Sequence, residues 1–234
     1  MRMIGLIGGM SWESSAVYYR LLNEGVRTAR GPSASAPCLL WSFDFAAIEA
    51  LQHAGDWDAL EALMTDAARR LAGAGAGTLV ICTNTMHRFA DAVEAAAGVP
   101  VLHIADPTGA AIGAAGLVRV GLIGTRFTME QDFIRGRLAR RHGLSVLIPG
   151  DTDRAIVHAT IYDELIAGRV LDTSRAALHD VIARLIDAGA QGVILGCTEL
   201  MLLVRPEACA VPVFDTTTLH ARAAVAAALS GPAC

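Results

Sequence analysis

Along this chain, short runs of apolar and β-branched residues alternate with longer stretches whose apolar positions recur at helical spacing. M-I-G-L-I-G, P-C-L-L-W-S-F, T-L-V-I-C, V-P-V-L-H, V-R-V-G-L-I-G, L-S-V-L-I-P, G-V-I-L-G and V-P-V-F-D read as strands. Segments 13–30, 57–73, 86–97, 129–142, 156–168 and 173–188 read as helices. Strands that alternate with helices imply an α/β class, with parallel sheets covered by helices on both faces.

The pattern is written twice. I-G-L-I-G-G at 4–9 resembles V-G-L-I-G-T at 120–125, and G-A-G-T-L-V-I-C-T-N-T at 75–85 lines up with G-A-Q-G-V-I-L-G-C-T-E at 189–199. G-V-P-V-L-H at 98–103 echoes A-V-P-V-F-D at 210–215, so three motifs repeat in order at offsets of 116, 114 and 112 residues. The expectation is two similar doubly wound parallel-sheet domains, 1–115 and 116–234, related by a pseudo-twofold with the active site in the cleft between them. The C-terminal segment is free to pack back on the first domain. Ligands in open α/β sheets sit beyond the carboxyl ends of the strands, which directs attention to the residues just after T-L-V-I and G-V-I-L.

There the stretch I-C-T-N-T-M-H poses a question of register. Successive strand side chains point to opposite faces, so Cys82 and Thr83 cannot both meet one ligand. The repeat pairs Thr83 with Cys197 and Cys82 with Gly196. Thr83, not Cys82, is therefore expected opposite Cys197.

Two groups facing each other across such a cleft suit racemisation, in which a proton leaves one face of a carbon and returns to the other. A thiolate is a workable base. Cys197 opens C-T-E-L-M at a strand end ahead of an expected helix N-terminus, a setting that lowers a thiol pKa. Thr83 is a poor base but can donate a hydrogen bond or hold a water. Polar strand-end residues offer a grip on the α-carboxylate and α-amino groups: Met10 and Ser11, Asn84 and Thr85, Thr125 and Thr128, and Thr198 with Glu199. Backbone N–H groups at such turns suit a carboxylate, and Arg126 is the nearest basic side chain in these loops.

Composition narrows the field. Of 234 residues, 53% are apolar and 18% charged, which fits a large core, and the net charge is −4 without a basic stripe, which argues against nucleic acid. All 19 basic residues are Arg. Without a Lys there can be no pyridoxal-phosphate Schiff base and no Walker A loop, and the first loop, G-L-I-G-G-M, is not a dinucleotide fingerprint. Cys38, Cys82, Cys197, Cys209 and Cys234 are scattered and odd in number, so neither a disulfide framework nor a metal site is expected. The N-terminal run reads as a first buried strand, and no apolar run approaches the roughly 20 residues of a membrane span. A cytoplasmic protein with a small-molecule substrate, no membrane partner and no cofactor is the expectation.

G-G-M-S at 8–11, the N-T-x-H of 84–87, G-C-T-E at 196–199, S-W-E-S near the start and G-T-R-F-T-M-E-Q-D-F at 124–133 together resemble the aspartate/glutamate racemase family, and within it the broad-specificity bacterial amino-acid racemases. The resemblance spans the chain. It implies cofactor-independent interconversion of L- and D-amino acids on two pseudo-symmetric α/β domains, and a homodimer. It also implies two opposed acid/base cysteines: Cys197 matches the second, and Thr83 stands in the place of the first. Lopsided chemistry follows, with Cys197 taking the proton and Thr83, or a water it holds, returning it. Acidic-substrate members grip the distal carboxylate with basic side chains, where this chain offers Gln52 and Glu164. A neutral polar substrate then rivals aspartate or glutamate.

Other readings stay open. A cysteine hydrolase would pair Cys197 with His87 or His103 and an acid such as Glu199. An isomerase or decarboxylase of a small dicarboxylic acid needs only one cysteine. A non-catalytic small-molecule binding protein would also explain Thr83.

Overall fold

The structure, a computed structural model, describes residues 1–230; Cys234 lies outside the described residues. The described chain forms two compact units, one from residues 1–103 with residues 220–230, the other from Ile104–Leu219.

The first unit carries strands β1 (Ile4–Gly8), β2 (Cys38–Ser42), β3 (Thr78–Ile81) and β4 (Val101–Leu102) in one parallel sheet of order β2-β1-β3-β4. Helices α1 (Trp12–Arg30), α2 (Phe45–Ala54), α3 (Trp57–Gly73) and α4 (Ala90–Ala97) connect them. The second unit begins with α5 (Ala105–Ala114) and holds β5 (Arg119–Gly124), β6 (Ser145–Leu147), β7 (Val193–Gly196) and β8 (Val213–Asp215) in the parallel order β6-β5-β7-β8. Its other helices are α6 (Arg126–Glu130), α7 (Asp132–His142), α8 (Asp151–Ala159) and α9 (Asp172–Asp187), and α10 (Thr216–Ser230) closes the described chain.

Period-2 alternation feeds both faces of each sheet. In the first, Ile7, Leu79 and Ile81 join Ile48, Leu60 and Met64 of α2 and α3, while Ile4, Leu6, Val80 and Cys82 join Tyr18, Leu22 and Val26 of α1 and Ala221 and Ala224 of α10. In the second, Ile123, Val193 and Leu195 pack with Val157 and Leu178 of α8 and α9, while Val120, Leu122 and Ile194 pack with Ile112, Ile134 and Leu138 of α5 and α7. Each sheet is doubly wound, as the sequence pattern implies.

The sheets also share their register. Ile7 pairs with Ile81 in the first and Ile123 with Leu195 in the second, while Leu79 pairs with Val101 and Val193 with Val213. These pairings reproduce the sequence offsets strand by strand. Thr83 and Cys197 therefore hold the same position, two residues beyond an equivalent paired residue. The neighbour of Cys197 has little room for a side chain. A Cβ on Gly196 would lie 3.1 Å from Ile123 O, Leu122 Cδ1 and Thr128 Cγ2, whereas its counterpart Cys82 is fully buried among apolar residues.

All eight strands lie where the apolar pattern marks them, but the helices hold surprises. The reading did not name α2, α5 or α10. In α5, A-D-P-T-G-A-A-I-G-A, proline and two glycines hide the helical signal; Pro is tolerated in a first turn, and a Cβ on Gly109 would collide with the His142 ring. The segment read as 129–142 is two helices broken at Gln131, whose backbone is extended. The segment read as 156–168 starts earlier, at Asp151, and passes through a π-helical turn, Thr160–Leu165.

Candidate functional site

In the first unit the turn after β1 is built on Gly9, at φ +78, where a Cβ would strike the Phe43 backbone. The Gly9 N–H donates to Ser15 Oγ at 2.8 Å. Met10 and Ser11 are buried, and the Ser11 hydroxyl accepts from the Ser14 N–H as the N-cap of α1. Gln52 is also buried, on α2, rather than lying on a solvated helix surface.

Beyond β3, Thr83 is partly buried, and Asn84 and Thr85 are buried at the start of a 3-10 turn, Thr85–Phe89. Inside that turn His87 is 2% exposed, and its Nδ1 donates to the Thr83 carbonyl at 2.8 Å. The His103 and His220 rings lie 4.8 and 5.3 Å from it. His220 Nε2 donates to Leu102 O at 2.8 Å, which leaves its Nδ1 to accept from Tyr18 Oη at 2.9 Å. Cys82 faces away, toward α1 and α10, and burial pushes its thiol far above the ordinary range, with Cys38 adding to the effect.

In the second unit Thr125 caps α6, its Oγ1 accepting from the Thr128 N–H at 3.3 Å, with the two hydroxyls 3.2 Å apart. Arg126 is exposed; its N–H donates to His158 Nδ1 at 3.3 Å, and the His158 ring lies 4.6 Å from that of Tyr162. Cys197 is partly buried and precedes the 3-10 turn Thr198–Leu202. Its Sγ donates to Glu199 Oε2 at 2.9 Å, and Glu199 is itself buried. Thr198 Oγ1 meets Thr217 Oγ1 at 3.0 Å, and the Thr217 N–H donates to Asp215.

The electrostatics reverse one expectation. The helix-terminus argument has the Cys197 pKa falling. Burial, then the Glu199 charge, and then the S–H···O bond hold the thiol well above its ordinary value. Backbone N–H groups of Glu199 and Thr198 pull the other way and do not outweigh them. Cys197 therefore rests as a protonated thiol beside a carboxylate that can receive its proton.

Glu164 lies on the π-helical turn, which packs against the turn that follows Cys197. Its Oε2 is buried and has no hydrogen-bond partner among the described residues. Single π-helical turns recur at functional sites.

Asp215, Thr217, His158 and Tyr162 were not among the residues nominated from sequence. The repeat holds the signal for Asp215, since it matches His103 at the end of the V-P-V motif. The Cys197 proton goes to a carboxylate, where a hydrolase triad needs an imidazole. Among the described residues no cluster of His, Cys, Asp and Glu is built to hold a metal ion, and no helix is long and apolar enough to cross a membrane.

Comparison with known proteins adds to this. The model of a family described as Asp/Glu/hydantoin racemase matches residues 7–224. A candidate Asp/Glu racemase of Yersinia pestis is 51% identical, with a TM-score of 0.92 over 98% of this chain and 100% of that one. An aspartate racemase homologue from Pyrococcus horikoshii is 30% identical, with a TM-score of 0.84 over 98% of this chain and 100% of that one. Unliganded arylmalonate decarboxylase shares the fold at 19% identity, with a TM-score of 0.54 over 100% of this chain and 95% of that one.

Proposed function

The chain belongs to the Asp/Glu/hydantoin racemase family, and from that membership we propose that it is a cofactor-independent amino-acid racemase in which Cys197 removes the α-proton. One observation carries the reading. Cys197 and Thr83 hold the same register position in two sheets of the same order, and Cys197 has a proton acceptor of its own, Glu199, at 2.9 Å.

The resting thiol cannot take a proton until it has lost its own. Transfer of the S–H proton to Glu199 leaves a thiolate and a carboxylic acid, and the thiolate then takes the α-proton from the substrate. Inversion requires a proton to return on the face opposite to the one it left, and Thr83, or a water held by its hydroxyl, supplies it; solvent then restores that proton and takes one from Glu199. A hydroxyl gives and takes protons less readily than a thiol, so the two directions run at unequal rates. Met10, Ser11, Asn84, Thr85, Thr125, Thr128 and Thr198 line the strand ends and hold the α-carboxylate and α-amino groups. The protein works as a homodimer in the cytoplasm.

The unpartnered Oε2 of Glu164 supports a substrate whose side chain ends in a hydrogen-bond donor rather than a carboxylate. Buried Gln52 can serve either kind. A second reading keeps the same base: with one thiol instead of two, removal of carbon dioxide from a small dicarboxylic acid needs only one proton donor, and Cys197 rests in the donor state. Chiral chromatography after incubation with a panel of L- and D-amino acids tests the first reading. Formation of the antipode supports it. Carbon dioxide release from a dicarboxylic acid, with no antipode from any amino acid, supports the second.

A further inference from the structure

We propose that His87 is a positioning residue for Thr83, its imidazole fixing the end of β3 so that the Thr83 hydroxyl is held where a proton must be returned. This rests on the racemase reading of Thr83. A carbonyl oxygen can only accept, so the contact with Thr83 O places a proton on Nδ1. The other ring nitrogen, Nε2, is buried with no hydrogen-bond partner among the described residues. The geometric hydrogen bond of this side chain goes to the Thr83 peptide, and the Leu102 carbonyl also lies close enough to act on the ring.

The ring has little freedom to do anything else. It is 2% exposed and lies against His103 and His220, and His220 is itself held at both nitrogens by Tyr18 and Leu102 O. Burial first, then the two neighbouring imidazoles, keep the His87 pKa well below its ordinary value, so the ring stays neutral with a fixed donor. A buried acceptor left without a geometric donor is a cost, and an apolar side chain in its place would avoid it. The cost is consistent with a residue retained for its Nδ1–H. Thr83 is partly buried just past the last paired residue of β3, where the His87 contact ties its peptide plane. A misplacement of about 1 Å at a reacting group can lower a rate about 100-fold.

The test compares His87→Asn, whose amide N–H replaces Nδ1–H, with His87→Leu, which is of similar size but cannot donate. For each, α-proton exchange in D₂O is followed by NMR and inversion by chiral chromatography, starting from the enantiomer the unaltered protein turns over. Exchange on the Cys197 face needs no Thr83, whereas inversion does. The expected result is that His87→Leu loses inversion at least about tenfold relative to exchange, while His87→Asn keeps most of it. If His87→Leu does not fold, His87→Gln, which moves the donor one carbon away, takes its place. A folded His87→Leu or His87→Gln with the unaltered ratio of inversion to exchange overturns the role of His87 and leaves the racemase reading intact. No exchange in the unaltered protein with any amino acid overturns both.

Discussion

The Sγ of Cys197 lies 2.9 Å from Glu199 Oε2, and the sulfur holds the proton. Together with burial, the larger cause, the same carboxylate keeps the thiol protonated at rest, and it offers it a route to the thiolate. Replacing it separates these effects. In Glu199→Gln the negative charge is gone, so the Cys197 pKa falls and iodoacetamide alkylation of Cys197 at pH 8 is expected to speed up, because the thiolate is the nucleophile. Near neutral pH, where the thiol is still protonated and Glu199 is no longer there to receive its proton, exchange of the substrate α-proton should fall about 100-fold, the size of a general acid–base contribution, and it should recover as the thiolate forms at higher pH. Alkylation rates followed from pH 7 to 10, beside exchange rates, check both.

Thr83 holds in the first sheet the register position that Cys197 holds in the second. Thr83→Cys supplies a group that can both give and take a proton. Inversion from the slower direction is expected to rise about 100-fold, the low end of what a positioned acid–base group contributes. Initial rates from the D- and L-enantiomers of one substrate show whether the two directions draw level.

Glu164 presents a buried carboxylate oxygen without a donor among the described residues. Against a substrate that carries its own distal carboxylate, the like charges repel. Glu164→Gln is therefore expected to lower the KM for aspartate or glutamate about tenfold, or ~1.4 kcal/mol, and to raise it for substrates ending in an amine or hydroxyl. Kinetics on the two substrate classes decide the point.

His87 makes stability depend on pH. Its folded pKa lies well below the value of about 6.5 expected in an unfolded chain. As pH falls below about 6.5 the unfolded chain binds a proton that the folded chain refuses, so stability present near neutrality is lost on acidification, by up to about 1.4 kcal/mol per pH unit. His87→Asn lacks that proton. The urea midpoint of the unaltered protein should drop more steeply between pH 7 and 5 than that of His87→Asn, and equal slopes would show that His87 is not a buried neutral imidazole.

Much of this architecture is legible in the sequence because strands buried on both faces leave nearly continuous apolar runs. The repeat of T-L-V-I and G-V-I-L even carries the register that equates Thr83 with Cys197. Helices α5 and α10 escape because small residues cover them: Gly109 is a packing site against His142, and no periodic apolar stripe marks it. The state of Cys197 escapes for another reason. A helix-terminus argument counts backbone dipoles near the sulfur, but burial outweighs them first and the Glu199 charge second, and neither the burial nor the side-chain direction is encoded in C-T-E. The same holds for His87, whose neighbours His103 and His220 arrive from distant parts of the chain.

The central claim is that Cys197 takes the α-proton of an amino acid. Proton NMR in D₂O, with L- and D-amino acids incubated in turn with the unaltered protein, Cys197→Ala and Cys82→Ala, tests it most directly. The expected result is loss of the α-proton signal for at least one amino acid, retained in Cys82→Ala and abolished in Cys197→Ala. Exchange that persists in Cys197→Ala, or none with any amino acid, would contradict it.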